Sequence, residues 1–190
     1  MTTLFCSLGF DPADLASLHP QIVQDVFVAL QRFDYRRIGH PLLTRHCATK
    51  RSVFQFEGTI NKFLVDDKGS TLIAVFGLPP FAHENDATRG TLAAMSILSS
   101  LHELGKNGTI GITTGVAFCG VVGTRGNRRE YSVIGDTINT AARLMVECKK
   151  KNLGHLMDEA TALSVAEDLS VESAGSAQLK GKAHEVRVVL

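Results

Sequence analysis

Apolar and polar positions recur with helical and strand periods along most of the chain. Apolar residues three or four positions apart predict an amphipathic helix over 22–33. Small and apolar side chains predict a second helix over 86–104, with Gly105 as its stop. A third helix is predicted over 136–149, where apolar residues repeat at helical spacing. Its apolar face comprises Ile138, Ala141, Ala142, Met145 and Val146.

Short apolar runs between these helices predict strands. Two of them, 61–65 and 71–76, are joined by a turn containing Gly69, which predicts an antiparallel hairpin. The other predicted strands cover 2–8, 109–118, 130–133 and 186–190, with a Gly- and Arg-rich loop over 120–129. Strands interleaved with helices, together with a hairpin, indicate an α+β fold with helices on a mixed sheet. We therefore expect a single domain over residues 1–190.

A basic stretch at 34–51 interrupts this pattern. It contains Gly39 and Pro41 and has no sustained period. Joining Gln31 to Ser52 would leave a continuous helix-to-hairpin segment. The stretch is therefore interpreted either as an inserted loop or as a translated intron from a gene-model error, which transcript sequencing would distinguish.

The composition indicates a globular protein, with 44% apolar residues and a formal net charge of +1. Near-neutral charge argues against a broad nucleic-acid surface. No apolar run approaches the roughly 18 residues of a membrane span, and the first residues do not resemble a signal peptide. The four cysteines, Cys6, Cys47, Cys119 and Cys148, are scattered without a CxxC pair. They predict reduced thiols in a cytoplasmic protein, and a zinc site is not expected.

Residues 131–145 carry the main candidate chemistry. They read as a strand, a glycine turn and a helix, with Asn139 and Arg143 four positions apart on one helical face. An amide beside a guanidinium can bind a sugar oxygen and a phosphate together. Spacing alone favours a solvated surface pair.

The order Tyr-x-x-x-Gly-x-x-x-Asn-x-Ala-x-Arg in residues 131–143 resembles the signature of class III nucleotidyl cyclases. Three other segments resemble the family in the same order: the hairpin over 60–79, the strand and loop over 115–123, and residues 179–182. Within the family, the chain is most similar to the second, C2-like catalytic domain of bicarbonate-responsive soluble adenylyl cyclases. That resemblance implies a ferredoxin-like cyclase homology domain.

The resemblance also implies which purine is read. Lys62 matches a position where lysine favours adenine and guanylyl enzymes carry glutamate. Ser132 matches the partner position, where adenylyl enzymes carry Asp, Thr or Ser and guanylyl enzymes usually carry Cys. Without the other matches, Lys62 would be interpreted as a surface lysine of a strand. Both positions point to ATP as substrate.

The resemblance places sugar and phosphate contacts on the third helix and near the end of the chain. Asn139 matches the residue that orients the ribose. Arg143 matches the arginine that stabilises charge on the α-phosphate as the 3′-hydroxyl attacks. Lys180 or Lys182 would neutralise the terminal phosphates, and the sequence does not choose between them.

The family reaction uses two divalent cations, Mg²⁺ or Mn²⁺, which two aspartates hold. Cys6 stands at the position of the first aspartate, or Ser7 if the register slides by one, and neither is a hard carboxylate ligand. The second position falls on Asp66, for which a solvated place at the hairpin tip is the stronger interpretation.

The expected function is therefore one half of an adenylyl cyclase site. Such a half would read adenine and stabilise the transition state, and a second cyclase domain with both metal aspartates would hold the cations. The isolated chain is expected to be inactive or very weak. The alternative is a catalytically silent cyclase-like domain that regulates a partner or senses a nucleotide. A diguanylate-type synthase is set aside, because residues 66–69 lack the Gly-Gly-Asp/Glu-Glu-Phe tip of those enzymes.

Overall fold

Within the described residues, nine strands and three helices that are described from end to end position the candidate residues. The computed structural model describes residues 1–9, 51–66, 69–103, 105–124, 126, 129–181 and 186–189, except the side chains of 65, 66, 69 and 187. The strands are β1 (Thr2–Ser7), β2 (Thr59–Asp66), β3 (Gly69–Phe76), β4 (Thr109–Thr114), β5 (Phe118–Val122), β6 (Glu130–Ile134), β7 (His155–Asp158), β8 (Ser173–Ala177) and β9 (Val186–Val189). The helices are α1 (Asp86–Glu103), α2 (Asp136–Lys150) and α3 (Glu159–Val165).

Seven of these strands form one mixed sheet in the order β2–β3–β1–β4–β7–β9–β8. β1 lies between β3 and β4 and is antiparallel to both, whereas β4 and β7 are parallel. β5 and β6 form a separate antiparallel pair. The α+β prediction, a mixed sheet with helices on it, is confirmed.

Helices cover both faces of the sheet at β4, as its side chains show. Ile110 and Ile112 are fully buried in the cluster that contains the α1 residues Ile97 and Leu101. Gly111, between them, faces α2, because an added Cβ there would meet the helix backbone. Side chains alternate between the two faces of a strand, so α1 and α2 lie on opposite faces. Each fully buried Leu or Ile contributes about 1.5–3 kcal/mol to this packing.

Three sequence predictions need correction. The strand predicted over 109–118 ends at Thr114, where its pairing with Thr2 of β1 ends. A new strand, β5, starts at Phe118 and takes the first part of the predicted 120–129 loop, because it finds a partner in β6. On α2 the predicted apolar residue Val146 is exposed, and the buried positions are Thr140, Ala141, Leu144 and Cys148.

Other predictions lie where the structure gives no description. The helix over 22–33 and the basic stretch lie outside the described residues, apart from Arg51, which is helical. Cys47 lies outside them too, while Cys6, Cys119 and Cys148 are free thiols, as predicted. Among the described ranges, no helix combines the length and apolarity needed to cross a membrane.

Candidate nucleotide site

Helix α2 carries the two residues of the candidate signature into one pocket. The helix follows β6 directly through Gly135, and its buried Leu144 and Cys148 pack with Leu156 of β7. This packing turns Asn139 and Arg143 away from the core. Asn139 is exposed, Arg143 is half-buried, and both line a cavity of about 350 Å³, hereafter the α2 pocket.

The opposite wall of this cavity comes from residues 178–180. Leu179 is 3% exposed and packs in the cluster with Leu144 and Val188, which anchors the segment beside α2. Gly181 follows at φ +77°, and a Cβ there would lie 3.3 Å from Nη2 of Arg143. The structure therefore brings Lys180 and Arg143 to the same pocket. Lys182 lies outside the described residues.

Two further charged residues of α2 line the pocket and were not predicted. Lys150 Nζ lies 3.0 Å from Glu147 Oε2, and the two side chains are 67% and 18% exposed respectively. Together with Asn139 and Arg143 they follow the spacing of one helical face. That spacing is visible in the sequence, but which face the 178–180 segment covers is set by tertiary packing.

The two predicted purine-reading residues lie on β2 and β6. Lys62 Nζ forms an ion pair with Glu130 Oε1 of β6 at 3.3 Å. Ser132 is two residues further along β6, hence on the same side of that strand, and is buried. The register of β2 against β3 shifts between Ile60 and Lys62, and such bulges re-aim side chains. Glu130 was not predicted, since its pairing with Lys62 joins residues far apart in sequence.

The residues at the predicted first metal position do not fit a metal site. Cys6 is fully buried, and its register partners are Leu72 of β3 and Ile110 of β4. Burial raises the pKa of the Cys6 thiol far above its ordinary value, so the thiol stays protonated. Ser7 is half-buried and offers only a hydroxyl. The side chain of Asp66 lies outside the described part of the structure.

Elsewhere in the described residues, no group of three His, Cys, Asp or Glu side chains is placed to hold a metal ion. In the part of the chain that the structure describes, the pocket offers the side chains of Arg143, Lys150 and Lys180 as cationic donors and that of Asn139 as an amide.

Comparison with known proteins decides the family. Residues 45–190 match the family described as the adenylate and guanylate cyclase catalytic domain. The chain belongs to the class III nucleotidyl cyclases. Members of this family are lyases that form cyclic nucleotides, and they use divalent metals.

This cyclase domain has curated relatives much longer than itself. It is 32% identical to adenylate cyclase type 10 of Homo sapiens over 149 residues, 77% of this chain and 8% of that protein. It is 27% identical to the terminal-differentiation-specific adenylate cyclase of Dictyostelium discoideum over 148 residues, 72% of this chain and 7% of that protein. The domain therefore spans less than a tenth of these relatives.

Solved structures confirm the cyclase fold. The adenylyl cyclase CyaB from P. aeruginosa superposes with a TM-score of 0.75 at 20% identity, covering 99% of this chain and 91% of that one. The guanylate cyclase domain of RhGC from Catenaria anguillulae, in complex with GTP, gives 0.71 at 16% identity, covering 99% and 93%. At these identities the likeness establishes the fold alone.

Proposed function

We propose that this cyclase domain is the C2-like half of an adenylyl cyclase site that converts ATP to cyclic AMP and pyrophosphate. The observation that carries the proposal is the pocket in which Asn139 and Arg143 face Lys180. The adjoining strand β6 holds Ser132, and its Glu130 pairs with Lys62. A domain with these groups, but with a buried cysteine at the first metal position, supplies one side of the site.

The proposed reaction is an in-line displacement at the α-phosphorus. The ribose 3′-oxygen gives up its proton to solvent water and bonds to the α-phosphorus, while the bond from that phosphorus to the bridging oxygen breaks. Pyrophosphate leaves with the electron pair. Arg143 would hold the charge that develops on the α-phosphoryl oxygens, and Asn139 would orient the ribose. Lys180, with Lys182 as the alternative, would neutralise the terminal phosphates.

Adenine would be read by the Lys62 and Ser132 pair. A lysine ammonium donates to ring nitrogens, which are acceptors in adenine. A serine hydroxyl accepts from, or donates to, the adjoining edge of the base. The ion pair with Glu130 would hold Lys62 extended over β6, and would reduce the side-chain entropy lost when the base binds.

The cations would come with a partner. We propose that Mg²⁺ or Mn²⁺ is held mainly by a second cyclase domain with both metal aspartates, on the same polypeptide or on another. Asp66 is a candidate ligand of this chain, on the family register. The β5–β6 pair exposes apolar side chains on both of its sides, a kind of surface that marks interaction sites. Phe118, Val122 and Ile134 share one side of the pair, and Val121 and Tyr131 share the other.

The test is cyclic AMP formation from Mg-ATP and Mn-ATP, with this chain alone and then mixed with a metal-binding cyclase domain of the soluble type. Silence alone and activity on mixing support the half-site. In the active mixture, Arg143→Ala is expected to lower kcat about 10²- to 10³-fold with little change in KM. Strong activity alone would overturn the half-site.

A silent regulatory or nucleotide-sensing domain is the second candidate, and the buried Cys6 favours it. Silence of the mixture, with association of the two domains shown by sedimentation, would support it. The polar residues of the α2 pocket then bind nucleotide without turnover, which calorimetry with ATP would detect.

A further inference from the structure

We infer that Lys150 is a further phosphate-binding residue of the α2 pocket, and that Glu147 positions it. This inference rests on the proposed function, because it concerns the polyphosphate end of the same substrate. Its ligand is the terminal phosphates of a nucleoside triphosphate, or the pyrophosphate that leaves. Neither residue belongs to the motif from which the other site residues were inferred.

The position of Lys150 along α2 suits this role. Lys150 lies seven residues after Arg143, about 10 Å along the helix axis and close to the same face. Side chains on a helix lean towards its N-terminus, so the Lys150 ammonium leans back towards Arg143. The ion pair with Glu147, three residues earlier, follows that direction. Lys150 therefore extends the line of groups that starts at Asn139 towards the far end of the pocket.

The charge of the pocket supports an anionic ligand. Among the described residues, its lining carries three cationic side chains, Arg143, Lys150 and Lys180, and one carboxylate, Glu147. Pairing with Glu147 at 3.0 Å leaves the other donors of the Lys150 ammonium directed to solvent, since that side chain is 67% exposed. An ion pair between residues three apart, with the lysine side chain 67% exposed, contributes little to stability. A carboxylate that orders a flexible lysine at the rim of a cationic pocket instead favours ligand binding.

Lys149 provides the matched control. It carries the same charge at the adjacent position of the same helix, but it is exposed and lies outside the described lining of the pocket. Long-range attraction for an anion is therefore nearly equal for Lys149 and Lys150, whereas direct contact is available only to Lys150.

The first measurement is the affinity of the whole chain for inorganic tripolyphosphate by calorimetry. Lys150→Ala is expected to raise Kd about five- to tenfold, the loss of one charge-assisted hydrogen bond at an exposed site. Lys149→Ala is expected to change Kd less than about twofold, and Lys150→Arg to retain binding. Glu147→Gln is expected to weaken binding by less than Lys150→Ala, because the lysine remains but is no longer held.

Equal effects of Lys150→Ala and Lys149→Ala, or no binding of tripolyphosphate by the unmodified chain, would overturn the inference. Tighter binding by Glu147→Gln would overturn the positioning role of Glu147. In the two-domain mixture, Lys150→Ala should raise KM for ATP while kcat holds if the triphosphate is the ligand. If Lys150→Ala instead weakens inhibition by pyrophosphate and leaves KM for ATP unchanged, the ligand of Lys150 is the product pyrophosphate.

Failure of the proposed function can be distinguished from failure of the role inferred for Lys150. If Arg143→Ala leaves cyclic AMP formation unchanged, the half-site is wrong, while a tripolyphosphate affinity that depends on Lys150 still stands. If Arg143→Ala abolishes activity and Lys150→Ala matches Lys149→Ala, only the role of Lys150 is lost.

Discussion

Cys6 illustrates how burial at one residue restricts what a site can hold. The thiol is fully buried between β3 and β4, in the cluster that also contains Leu4 and Leu8. A neutral sulfhydryl suits this position, whereas an ionised carboxylate there would lose its hydration without a partner. An aspartate introduced at position 6, as in the family, would therefore destabilise the fold before it could bind a metal.

Cys6→Asp is expected to lower the free energy of unfolding by about 3 kcal/mol or more, because it buries an unpaired carboxyl group. Urea unfolding at neutral pH measures the loss. Ser7→Asp, at the half-buried end of the same strand, serves as the control and should cost less. A Cys6→Asp chain that is as stable as the unmodified one and active by itself would contradict this expectation.

Lys62 and Glu130 form a pair whose charge arrangement can be reversed. Lys62→Glu places two carboxylates together and removes the proposed adenine donor, so kcat/KM for ATP in the two-domain mixture is expected to fall about 10- to 100-fold. The double change Lys62→Glu with Glu130→Lys restores an ion pair but leaves the donor on the other strand. If that double change recovers ATP turnover, adenine recognition depends on the ion pair and not on Lys62 itself.

At the scale of elements, the approach of α2 to β4 sets where the site lies. Gly111 of β4 faces the backbone of α2, and a Cβ there would collide with the carbonyl of Ala141 and lie 2.6 Å from the amide nitrogen of Met145. These neighbours are backbone atoms of one helix, so the helix must move as a unit to make room. Asn139 and Arg143 move with it.

Gly111→Ala is therefore expected to cost about 1–3 kcal/mol of stability and to weaken tripolyphosphate binding. Thermal unfolding and calorimetry measure the two effects. Gly154→Ala is the control, because its Cβ would meet only the end of the Leu98 side chain, at 3.2 Å. Equal stability of both variants would show that α2 does not depend on a glycine at position 111.

β7 introduces a dependence on pH. Burial lowers the pKa of His155 below its ordinary 6.5. The unfolded chain then binds a proton more readily than the folded one, so stability is present above pH 6.5 and is lost as pH falls through the lowered pKa. His155→Gln is expected to flatten this part of the profile, measured by urea unfolding between about pH 7.5 and 5. If the variant loses stability at acidic pH as the unmodified chain does, other titrating groups cause that loss.

Elements with a strong local period were predictable, and elements made by pairing were not. The hairpin of β2 and β3, helix α1 and helix α2 follow from spacing and from glycine stops such as Gly105. β5 was read as loop because Gly120 and Gly123 suggest a turn, yet it becomes a strand by pairing with β6. β7, α3 and β8 are short and were not predicted.

The same distinction holds within the candidate site. Asn139 and Arg143 share a helix, so their four-residue spacing is enough to place them together. Glu130 comes to Lys62 only through the meeting of β2 and β6, and Lys150 joins Lys180 only because Leu179 is anchored in the core. Contacts between segments distant in sequence depend on tertiary packing, which local periodicity does not encode.

At the scale of the whole molecule, the proposed contact with a second cyclase domain lies on the exposed apolar side chains of β5 and β6. Val121→Lys is expected to weaken association with a metal-binding cyclase domain at least about tenfold, because it places a charge in an apolar contact. Its own unfolding temperature should hold, since Val121 is 62% exposed. Leu163→Lys, on α3 and 72% exposed, is the control and should leave association unchanged. Sedimentation velocity measures the association. If both variants lose association equally, the interface lies elsewhere.

The central place of β1 in the sheet also has a consequence for biosynthesis. The side-chain hydroxyl of Thr2 in β1 is hydrogen-bonded to that of Thr114 in β4, which lies 112 residues later in the sequence. A ribosome adding roughly 5–20 residues per second needs on the order of ten seconds to cover that interval. Throughout it, β1, with its buried Leu4 and the adjoining Leu8, has been synthesised but its neighbour β4 has not. Nascent β1 is thus a natural substrate for chaperones that bind short apolar segments, and the sheet closes around its earliest strand only when β4 has emerged.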